Sequence, residues 1–306
     1  MRVSLTLENN YTVELFIHKK ISSGNFNVYH AKLESHNFEC ALKVFPKGNT
    51  ARKNYLQEKH ILSQLNHENI ITYIPLQSHS LDCNLILTDY ALYGNFLDLV
   101  LKGIFTQEKL IRTYFIQLID AIGYLHSKGF AHFDIKLENC LLHKSFKLKV
   151  ADFNQTQHIK DKQIIYGGTI NYRAPEILTN SCKNPFAADI YSAGILLYTL
   201  KTGEFPFLEE TDPGSGKLTG QDLFYLNNSL FWERKIQTKG SDYFSPGFIE
   251  LINGMLMKDP AERFTLEDVT MSQWFNETSY DYKSLRVEME RIFERTFSNY
   301  AKIKSF

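Results

Sequence analysis

Hydrophobic residues follow different periods in different parts of the chain. Near the N-terminus they alternate with polar residues over 11–17 (YTVELFI) and 28–33 (VYHAKL), which predicts two β-strands, and 40–45 (CALKVF) is a third β-forming run. The polar segment 22–27 (SSGNFN) predicts a turn between the first two strands. Over 107–128 apolar positions instead recur every three or four residues, which predicts a core helix. The pattern therefore indicates a small β-rich part followed by a larger helical part.

Two further short runs, 141–142 (LL) and 148–150 (LKV), are separated by the polar segment 143–147. This spacing predicts an antiparallel hairpin. Asn139 stands just before the first run and Asp152 just after the second, so the hairpin would bring both side chains to one end. Converging oxygen ligands suit a hard cation such as Mg²⁺, whose coordination is usually completed by water and substrate phosphates.

Three polar side chains stand just upstream of this hairpin. Asp134 and Lys136 offer a carboxylate and an ammonium. Beside a metal-phosphate site, the carboxylate would orient an attacking hydroxyl and the ammonium would neutralise a phosphoryl group during its transfer. His132 is expected to pack and to bond the backbone rather than to act as a base.

The hairpin and its flanks resemble the catalytic loop of eukaryotic protein kinases, in which H-R-D is followed after four residues by Asn and later by D-F-G. The first motif reads HFD at 132–134 and is completed by Asn139, and the second reads DFN at 152–154. Phe133 and Asn154 thus stand where the family has Arg and Gly. The resemblance implies an α+β, bilobal protein-kinase fold, with a small β-rich N-lobe carrying one main helix and a larger, mainly helical C-lobe.

The resemblance assigns catalytic and metal-binding roles to four residues. Asp134 would accept the proton of the substrate hydroxyl, and Lys136 would screen the transferred phosphoryl group. Asn139 and Asp152 would hold the metal ions. Lys two positions after the Asp is similar to the serine/threonine group of kinases. ATP and Mg²⁺ are therefore the implied cofactors, and Ser or Thr hydroxyls of proteins are the implied substrates.

Lys43 interrupts a β-forming run, where a lysine is costly unless it has an anionic partner. The resemblance implies that Lys43 binds the phosphates of the nucleotide. A helix predicted over about 51–65 carries Glu58 where the kinase pattern has that partner. Without this match to the kinase pattern, Glu58 is equally well explained as a solvated charge on the helix surface. The turn at 22–27 resembles the kinase Gly-rich loop only in part, because Ser22 and Asn27 replace two of its glycines.

The resemblance extends the nucleotide site to both sides of this lysine. Thr88 falls at the gatekeeper position, and Asp89 to Ala91 would offer backbone groups to the adenine. The implied cofactor-binding residues are Ile21, Gly24, Val28, Ala41, Lys43, Glu58, Thr88, Asp89, Ala91 and Leu141.

The segment 169–176 (TINYRAPE) resembles the A-P-E region of the serine/threonine kinases. The resemblance implies that the hydroxyl of Thr169 bonds the catalytic Asp and Lys. It also implies a buried ion pair between Glu176 and Arg263, and bonds from Asp189 to the catalytic-loop backbone. Matching partners count more than either residue alone, because a buried carboxylate without a partner is costly.

Composition narrows the classes of partner. Lys plus Arg and Asp plus Glu number 34 each, so no overall field argues for nucleic acid or an anionic membrane surface. The four cysteines form no CxxC pair, which argues against a disulfide framework and a zinc site and favours a reducing, intracellular compartment. No apolar run is long enough for a membrane span. We therefore expect a soluble, cytoplasmic protein, with the nucleus also open.

The resemblance covers about 10–275, with the N-lobe over about 10–90 and the C-lobe over about 91–275. It leaves 276–306 as a C-terminal helical extension. Packing against the large lobe and binding of a regulatory partner are both open for this extension. Its apolar residues share one helical face, formed by Leu285, Met289, Ile292, Phe293, Phe297 and Tyr300.

Three functions fit parts of the sequence. An active serine/threonine protein kinase is supported by six retained side chains, namely Lys43, Glu58, Asp134, Lys136, Asn139 and Asp152. A pseudokinase that binds partners without catalysis is suggested by four departures from the pattern, at Ser22, Asn27, Phe133 and Asn154. A small-molecule kinase is disfavoured, because the A-P-E segment builds a peptide-docking platform. We favour the active kinase, since the departures reshape loops whereas loss of a metal carboxylate would remove chemistry.

Phe133 also predicts how activity is controlled. In kinases switched on by phosphorylation of the activation loop, the Arg of H-R-D helps to bind the phosphate through charge-assisted hydrogen bonds. Phe133 cannot do this, so we expect activity without a loop phosphate. Alternatively, Phe133 packs in the core while Lys160 or Lys162 supplies the charge. The candidate phosphorylation sites are Thr156, Tyr166 and Tyr172.

Overall fold

The computed structural model describes residues 2–7, 12–23, 26–77, 83–161, 167–207 and 220–297. Within these ranges the chain forms two lobes, a small one built on an antiparallel sheet and a larger one built on helices. The architecture confirms the expected α+β, bilobal fold. Four residues discussed above lie outside the described residues, namely Gly24, Lys162, Tyr166 and Tyr300.

Seven strands form the sheet of the small lobe: β1 Arg2–Leu7, β2 Thr12–Ser23, β3 Asn27–Leu33, β4 Phe38–Phe45, β5 Tyr73–Ile74, β6 Leu76–Gln77 and β7 Asn84–Asp89. Their order is β5-β7-β4-β3-β2-β1-β6, and all neighbours are antiparallel. Only Pro75 separates β5 from β6, although these strands stand at opposite ends of the order. The sheet therefore curls back toward itself, and a residue without an N–H falls where the pairing changes.

The strand β2 is longer than the alternation predicted, and the turn after it is correspondingly shorter. Its pairing with β3 shifts register between Ile17 and Lys19 and again between Lys20 and Ser22. Each irregularity resets the two-residue period, so the alternation that marks 11–17 is lost beyond that point. The strand β1, which precedes the expected start of the domain near residue 10, pairs with β2 and was not predicted.

The helix α1, Asn49–Leu62, is the main helix of the small lobe. The large lobe contains the other described helices: α2 Phe96–Leu101, α3 Glu108–Ser127, α4 Pro175–Leu178, α5 Pro185–Thr202, α6 Gly220–Leu226, α7 Asn228–Lys239, α8 Pro246–Met255, α9 Leu266–Met271, α10 Gln273–Asn276 and α11 Tyr282–Thr296. It also contains two short strand pairs, β8 Phe130–Ala131 with β11 Gln157–His158, and β9 Cys140–Leu142 with β10 Leu148–Val150. The predicted helices 51–65 and 107–128 are confirmed as α1 and α3.

The helix α5 runs through the centre of the large lobe and is buried around its circumference. Such a helix is apolar on all sides because it has no solvent face. Gly194 allows α8 to pack closely on it, since an added Cβ would lie 2.9 Å from a methyl carbon of Leu256. This rigid centre presents Asp189 to the catalytic loop.

The C-terminal helix α11 packs against the large lobe. Leu285, Met289 and Phe293 are buried in the same core as α3 and α5. The side-chain amide of Gln107, the N-cap residue of α3, also donates to Oε1 of Glu288 at 2.8 Å. The apolar face predicted from the sequence is thus used within the chain.

Two further observations bear on compartment and membrane. None of the helices in the described ranges combines the length and the apolar character needed to cross a bilayer. The thiols of Cys40, Cys140 and Cys182 are buried and form no disulfide.

Candidate active site

The hairpin of β9 and β10 forms as predicted, with Leu142 opposite Leu148 and Cys140 opposite Val150. At its open end the N–H of Ala151 donates to the carbonyl oxygen of Asn139 at 2.9 Å. This bond sets Asn139 beside the residue that precedes Asp152. Asn139 and Asp152 therefore lie at the same end of the hairpin, as predicted.

The backbone of the catalytic loop is hydrogen-bonded to the buried carboxylate of Asp189. The backbone N–H groups of His132 and Phe133 donate to its two oxygens at 2.8 and 2.9 Å. Nδ1 of His132 accepts from the N–H of Asp134 at 3.2 Å, and Nε2 lies 3.2 Å from the carbonyl oxygen of Ala151. The structural roles predicted for Asp189 and His132 are both confirmed. Each ring nitrogen of His132 bonds a backbone group, so neither is left for a proton transfer.

The carboxylate of Asp134 is fixed by four donors. Oδ1 accepts from the N–H and the hydroxyl of Thr169 at 2.9 and 3.0 Å. Oδ2 accepts from Nδ2 of Asn139 at 3.0 Å and lies 2.8 Å from Nζ of Lys136. The ammonium of Lys136 in turn donates to the hydroxyl of Thr169 at 2.8 Å. The acid, the ammonium and the hydroxyl thus form one closed network that holds the carboxylate in a single orientation.

The ammonium of Lys43 contacts two carboxylates, that of Glu58, which was expected, and that of Asp152, which was not predicted as its partner. Its Nζ lies 2.8 Å from Oε2 of Glu58 and 2.8 Å from Oδ1 of Asp152. Burial opposes the charge on Lys43, but the two carboxylates outweigh it and raise its pKa. Burial raises the pKa of Glu58, against the pull of Lys43. Burial also acts to raise the pKa of Asp152, but there the pull of Lys43 prevails and lowers it.

A cavity of about 710 Å³ opens between the lobes, which is the size of a small-molecule site. Twelve of the fourteen predicted site residues line it: Ile21, Val28, Ala41, Lys43, Glu58, Thr88, Asp89, Ala91, Lys136, Asn139, Leu141 and Asp152. Asp134 touches the cavity-lining Lys136 and Asn139, and Gly24 lies outside the described residues. A second cavity, of about 610 Å³ beside α1, contains none of these residues.

The model of the protein kinase domain matches residues 16–275 of this chain. The chain belongs to the protein kinase family. Among curated proteins, this kinase is similar to CBL-interacting protein kinase 24 of Oryza sativa subsp. japonica, with 33% identity over 246 residues that cover 78% of this chain and 51% of that protein. Aurora kinase of Yarrowia lipolytica is 31% identical over 275 residues, which cover 87% of this chain and 69% of that protein.

A third relative, CBL-interacting serine/threonine-protein kinase 1 of Arabidopsis thaliana, is 30% identical over 273 residues that cover 84% of this kinase and 57% of that protein. The chain therefore spans about half to two thirds of the length of these curated relatives. The family expected from the sequence is confirmed, and its relatives include kinases named for serine and threonine.

The donor set at the open end of the hairpin fits Mg²⁺ in this kinase. The amide nitrogen of Asn139 donates to Asp134, so the amide oxygen of Asn139 is the atom that could bind a metal ion. Nδ2 of Asn154 donates to Oδ1 of Asp152 at 2.7 Å, while the buried Oδ1 of Asn154 has no hydrogen-bond partner among the described residues. Carboxylate and amide oxygens are the ligands that this hard cation prefers. Asn154 was noted in the sequence only as a departure from Gly, and its contact with Asp152 was not predicted.

The hinge of this kinase is anchored by a contact that the sequence did not reveal. Oδ1 of Asp89 accepts from the N–H of Thr72 at 2.7 Å, and Oδ2 lies 3.3 Å from Nζ of Lys149. The backbone N–H of Asp89 donates a hydrogen bond to the carbonyl oxygen of Thr72 at 3.0 Å. The N–H of Asp89, one of the backbone groups expected to face the adenine, is therefore already bonded within the protein. The apolar lining residues Leu62, Ile71 and Ile86 were also missed, because nothing distinguishes them locally from other core residues.

The predicted ion pair of the large lobe is present and buried. Arg263 donates to Oε1 and Oε2 of Glu176 at 2.6 and 2.9 Å. It fixes α4, and with it the segment that carries Thr169 toward the catalytic loop. Phe133 is 6% exposed and lies in the core, with a left-handed backbone at φ 61°. Its packing in the core, one of the two alternatives for this residue, is thus observed.

Proposed function

We propose that this kinase is catalytically active and transfers the γ-phosphoryl group of MgATP to Ser or Thr hydroxyls of protein substrates. The observation that carries the proposal is the contact of Lys43 with both Glu58 and Asp152 at 2.8 Å. In active protein kinases the strand lysine, the helix glutamate and the metal-binding aspartate must all be in place. Lys43 would bind the α and β phosphates, with Glu58 holding its side chain in reach.

The chain's own residues account for the transfer step. The carboxylate of Asp134 would accept the proton of the substrate hydroxyl, whose oxygen forms a bond to the γ phosphorus. The bond from the γ phosphorus to the bridging oxygen breaks, and ADP leaves with that electron pair. Lys136 would offset the charge of the transferred group. Asn139 and Asp152 would hold Mg²⁺, which supplies neutralisation of the phosphate charge when it is bound.

A protein substrate is favoured over a small molecule by the segment that follows the activation loop. Arg173 donates to the carbonyl oxygen of Gly168, and Glu176 is fixed by Arg263. These contacts hold 168–176 next to the catalytic carboxylate as a fixed surface on which a peptide would lie. The hydroxyl of Thr169 bonds both Asp134 and Lys136, which supports the serine/threonine type.

The test is incubation of the purified chain with MgATP labelled in the γ-phosphate and an unbiased peptide library, followed by phosphoamino-acid analysis. We expect label on Ser and Thr. The matched control is Asp134→Asn, in which turnover should fall by about 10²- to 10⁴-fold because a positioned base is removed. Its MgATP affinity, measured by calorimetry, should stay near that of the wild type. Label on Tyr, or full turnover by the variant, would contradict the proposal.

A pseudokinase scaffold is the second candidate, and Asn154 is the observation in its favour. The Asn154 amide occupies Oδ1 of Asp152, the oxygen that also bonds Lys43. In that case the chain would bind MgATP, or only partner proteins, without transferring phosphate. Binding of MgATP by calorimetry without any labelled product in the library assay would favour the scaffold.

We also propose that activity does not require a phosphate on the activation loop. Thr169 already bonds Asp134 and Lys136 through unmodified groups, and β11 already pairs with β8. Two of the candidate phosphorylation sites, Thr156 and Tyr172, are buried. Because such contacts order the activation loop, the loop does not need charge-assisted hydrogen bonds to a phosphate.

This part is tested with protein made in a kinase-free bacterial host and treated with phosphatase, its unmodified state being checked by intact mass. The protein should be active, and Lys160→Ala should have the same activity. The opposite result would be a protein whose activity strictly requires a loop phosphate and whose Lys160→Ala variant loses this requirement. It would support the alternative in which a lysine replaces the missing Arg.

The proposal includes an intracellular location, supported by the buried thiols of Cys40, Cys140 and Cys182, which a disulfide framework would have paired. A regulatory partner at α11 would have to bind its outer side. Val287 there is 67% exposed, whereas Leu285 and Met289 are already packed inside the large lobe.

A further inference from the structure

The strands β2, β3 and β4 are neighbours in the small-lobe sheet, and each contributes one polar side chain to a common cluster, His18, His30 and Glu39. The ligand atoms of the three all lie within 4.8 Å of one another. Among the residues that the structure describes, no other group of three or more His, Cys, Asp or Glu side chains converges as closely. None of the three lines the nucleotide cavity, so the cluster has no place in the proposed phosphoryl transfer.

His18 joins this cluster because of an irregularity in strand pairing. Ile17 stands opposite Ala31 and Lys19 opposite His30, so two steps along β2 match one step along β3, and His18 is the extra residue. A bulge of this kind re-aims a side chain. As a result, the imidazole of His18 stacks on that of His30, with ring centroids 4.8 Å apart and 25° between the planes.

The ring of His30 is held in a fixed orientation. Its Nε2 lies 2.5 Å from Oε2 of Glu39, and its face stacks on the ring of Tyr90 with centroids 4.0 Å apart and 12° between the planes. The side chains of His30 and Glu39 are 17% and 24% exposed, whereas His18 is exposed. Two ligands are thus pre-positioned by packing, and the third is exposed where an ion can enter from solvent.

We propose that His18, His30 and Glu39 form a binding site for a divalent transition metal such as Zn²⁺, with one coordination position left to water. Two imidazoles and one carboxylate are a ligand set that zinc accepts in proteins. The spacing of the cysteines argued against a zinc site, but this cluster uses no cysteine. The site is independent of the proposed phosphoryl transfer.

The geometry requires only small movements. Zinc ligands lie about 2.0–2.2 Å from the ion, so two ligand atoms of a tetrahedral site are about 3.3–3.5 Å apart. The pair His30 and Glu39 would open by about 1 Å from its present contact, and His18 would approach by about 1.5 Å. Rotation of one exposed and one half-buried side chain is enough for this, and the strands need not move.

Burial lowers the pKa of His30, as do His18 and Lys19, while the hydrogen bond and charge of Glu39 act in the opposite direction. The other titratable groups that face the cluster are Tyr90 and Lys32, whose Nζ is 4.0 Å from Oε1 of Glu39.

The test is calorimetric titration of the whole chain with Zn²⁺ in the presence of excess Mg²⁺, which occupies oxygen sites. We expect one zinc ion per chain. His18→Ala removes an exposed ligand and Glu39→Gln preserves the size of a buried one, and each should lower the zinc affinity by at least about 10- to 100-fold. The matched control is His36→Ala, an exposed histidine of the 3₁₀ turn before β4, which should bind as the wild type does.

Two further readouts distinguish coordination from loose adsorption. Zinc should raise the thermal unfolding midpoint of the wild type and of His36→Ala but not of His18→Ala, because the ion bridges three strands only when all ligands are present. Substitution with Co²⁺ should give a visible absorption band that is lost in both ligand variants. Equal zinc affinity in the wild type, His18→Ala and Glu39→Gln, or binding by the wild type too weak to saturate, would overturn the proposal.

Discussion

The ion pair between Glu176 and Arg263 lies in the dry interior of the large lobe, whereas the pair between Lys43 and Glu58 borders the nucleotide cavity of the small lobe. The side chain of Arg263 is 0% exposed and that of Glu176 is 5% exposed. Lys43 is 14% exposed and Glu58 is 4% exposed, so the carboxylates of the two pairs are equally buried, but Lys43 also contacts Asp152, whose side chain is 39% exposed. Two pairs of the same chemical kind therefore sit in different surroundings.

The two pairs also differ in how much bonding capacity they leave unused. All five N–H donors of Arg263 are bonded to the protein, at both oxygens of Glu176 and at the carbonyl oxygens of Ala187, Met257 and Lys258. Such a saturated guanidinium has nothing left for a ligand. Lys43 bonds carboxylates that open onto a cavity, and one of them is also the expected holder of a metal ion.

This difference separates a structural pair from a working pair. Breaking a buried pair is costly when the abandoned charge has no alternative partner and no access to water. A pair at a cavity wall can exchange partners, take up a proton or meet a ligand. The large-lobe pair should therefore control stability, and the small-lobe pair should control nucleotide binding.

The largest effect on stability is expected for Arg263→Ala. This change leaves the carboxylate of Glu176 buried without its partner, which costs about 3–5 kcal/mol. Total stabilities of about 5–15 kcal/mol make that loss a large share of the whole. Urea unfolding at neutral pH, followed by tryptophan fluorescence, measures it, and MgATP affinity of the folded fraction should be unchanged.

The matched control is Arg286→Ala, which removes an exposed pair with Glu290 on α11. Exposed pairs contribute about 0–1 kcal/mol, so this variant should unfold close to the wild type. Equal losses in Arg263→Ala and Arg286→Ala would show that burial does not set the strength of these pairs and would remove the basis of the comparison.

The next effect concerns Lys43→Met, which should act on function more than on stability. Loss of hydrogen bonds to charged groups costs about 1.5–3 kcal/mol, which corresponds to about 10- to 100-fold weaker MgATP binding. Calorimetry measures the affinity, and turnover should fall with it. Lys32→Met on the neighbouring strand, away from the cavity, is the control and should bind MgATP normally.

The stability of Lys43→Met should depend on pH. Burial raises the pKa of Glu58 to about 7 even with Lys43 present, and removal of the lysine takes away the force that opposes this rise. A carboxyl whose pKa is higher in the folded state than in the unfolded state favours folding where it is protonated. The variant should therefore be nearly as stable as the wild type in mild acid and lose stability as the pH rises past 7. Urea unfolding across this range tests it, and a loss of the same size at every pH would count against proton uptake by Glu58.

The chemistry of the site was more predictable from the sequence than the shape of the sheet. The hairpin around 143–147 and the isolated Lys43 carry local signals, namely a short polar segment between apolar runs and a charge inside a β-forming run. The first signal restricts the conformation of the neighbouring residues, and the second requires an anionic partner nearby. The position of Asp152 beside Asn139 followed from the hairpin, and Glu58 as the partner of Lys43 followed from the resemblance to the kinase pattern, whereas the contact of Lys43 with Asp152 was not predicted.

What could not be predicted depends on contacts between residues far apart in the sequence. The bulge at His18 breaks the alternation on which a strand prediction rests, so the end of β2 was missed. The ion pair of Asp89 with Lys149 joins the hinge to the hairpin, and neither residue has a local feature that names the other. The side taken by α11 was likewise undecided, because an apolar face predicts burial without saying what buries it.

The smallest effect is expected for Asn154→Ala, which alters a contact of Asp152, the second partner of Lys43, without removing a charge. The variant loses the hydrogen bond from Nδ2 to the carboxylate of Asp152, which contributes about 1.5–3 kcal/mol. It also loses the buried Oδ1 that has no partner in the described structure, and an unsatisfied buried acceptor costs about 1–3 kcal/mol. The two terms nearly cancel, so the unfolding free energy should change by less than about 1 kcal/mol. Urea unfolding beside Arg263→Ala measures this directly, and MgATP affinity should not fall, because Oδ1 of Asp152 is released from a competing donor. A stability loss approaching that of Arg263→Ala would mean that the small-lobe pair is as rigidly built as the large-lobe pair.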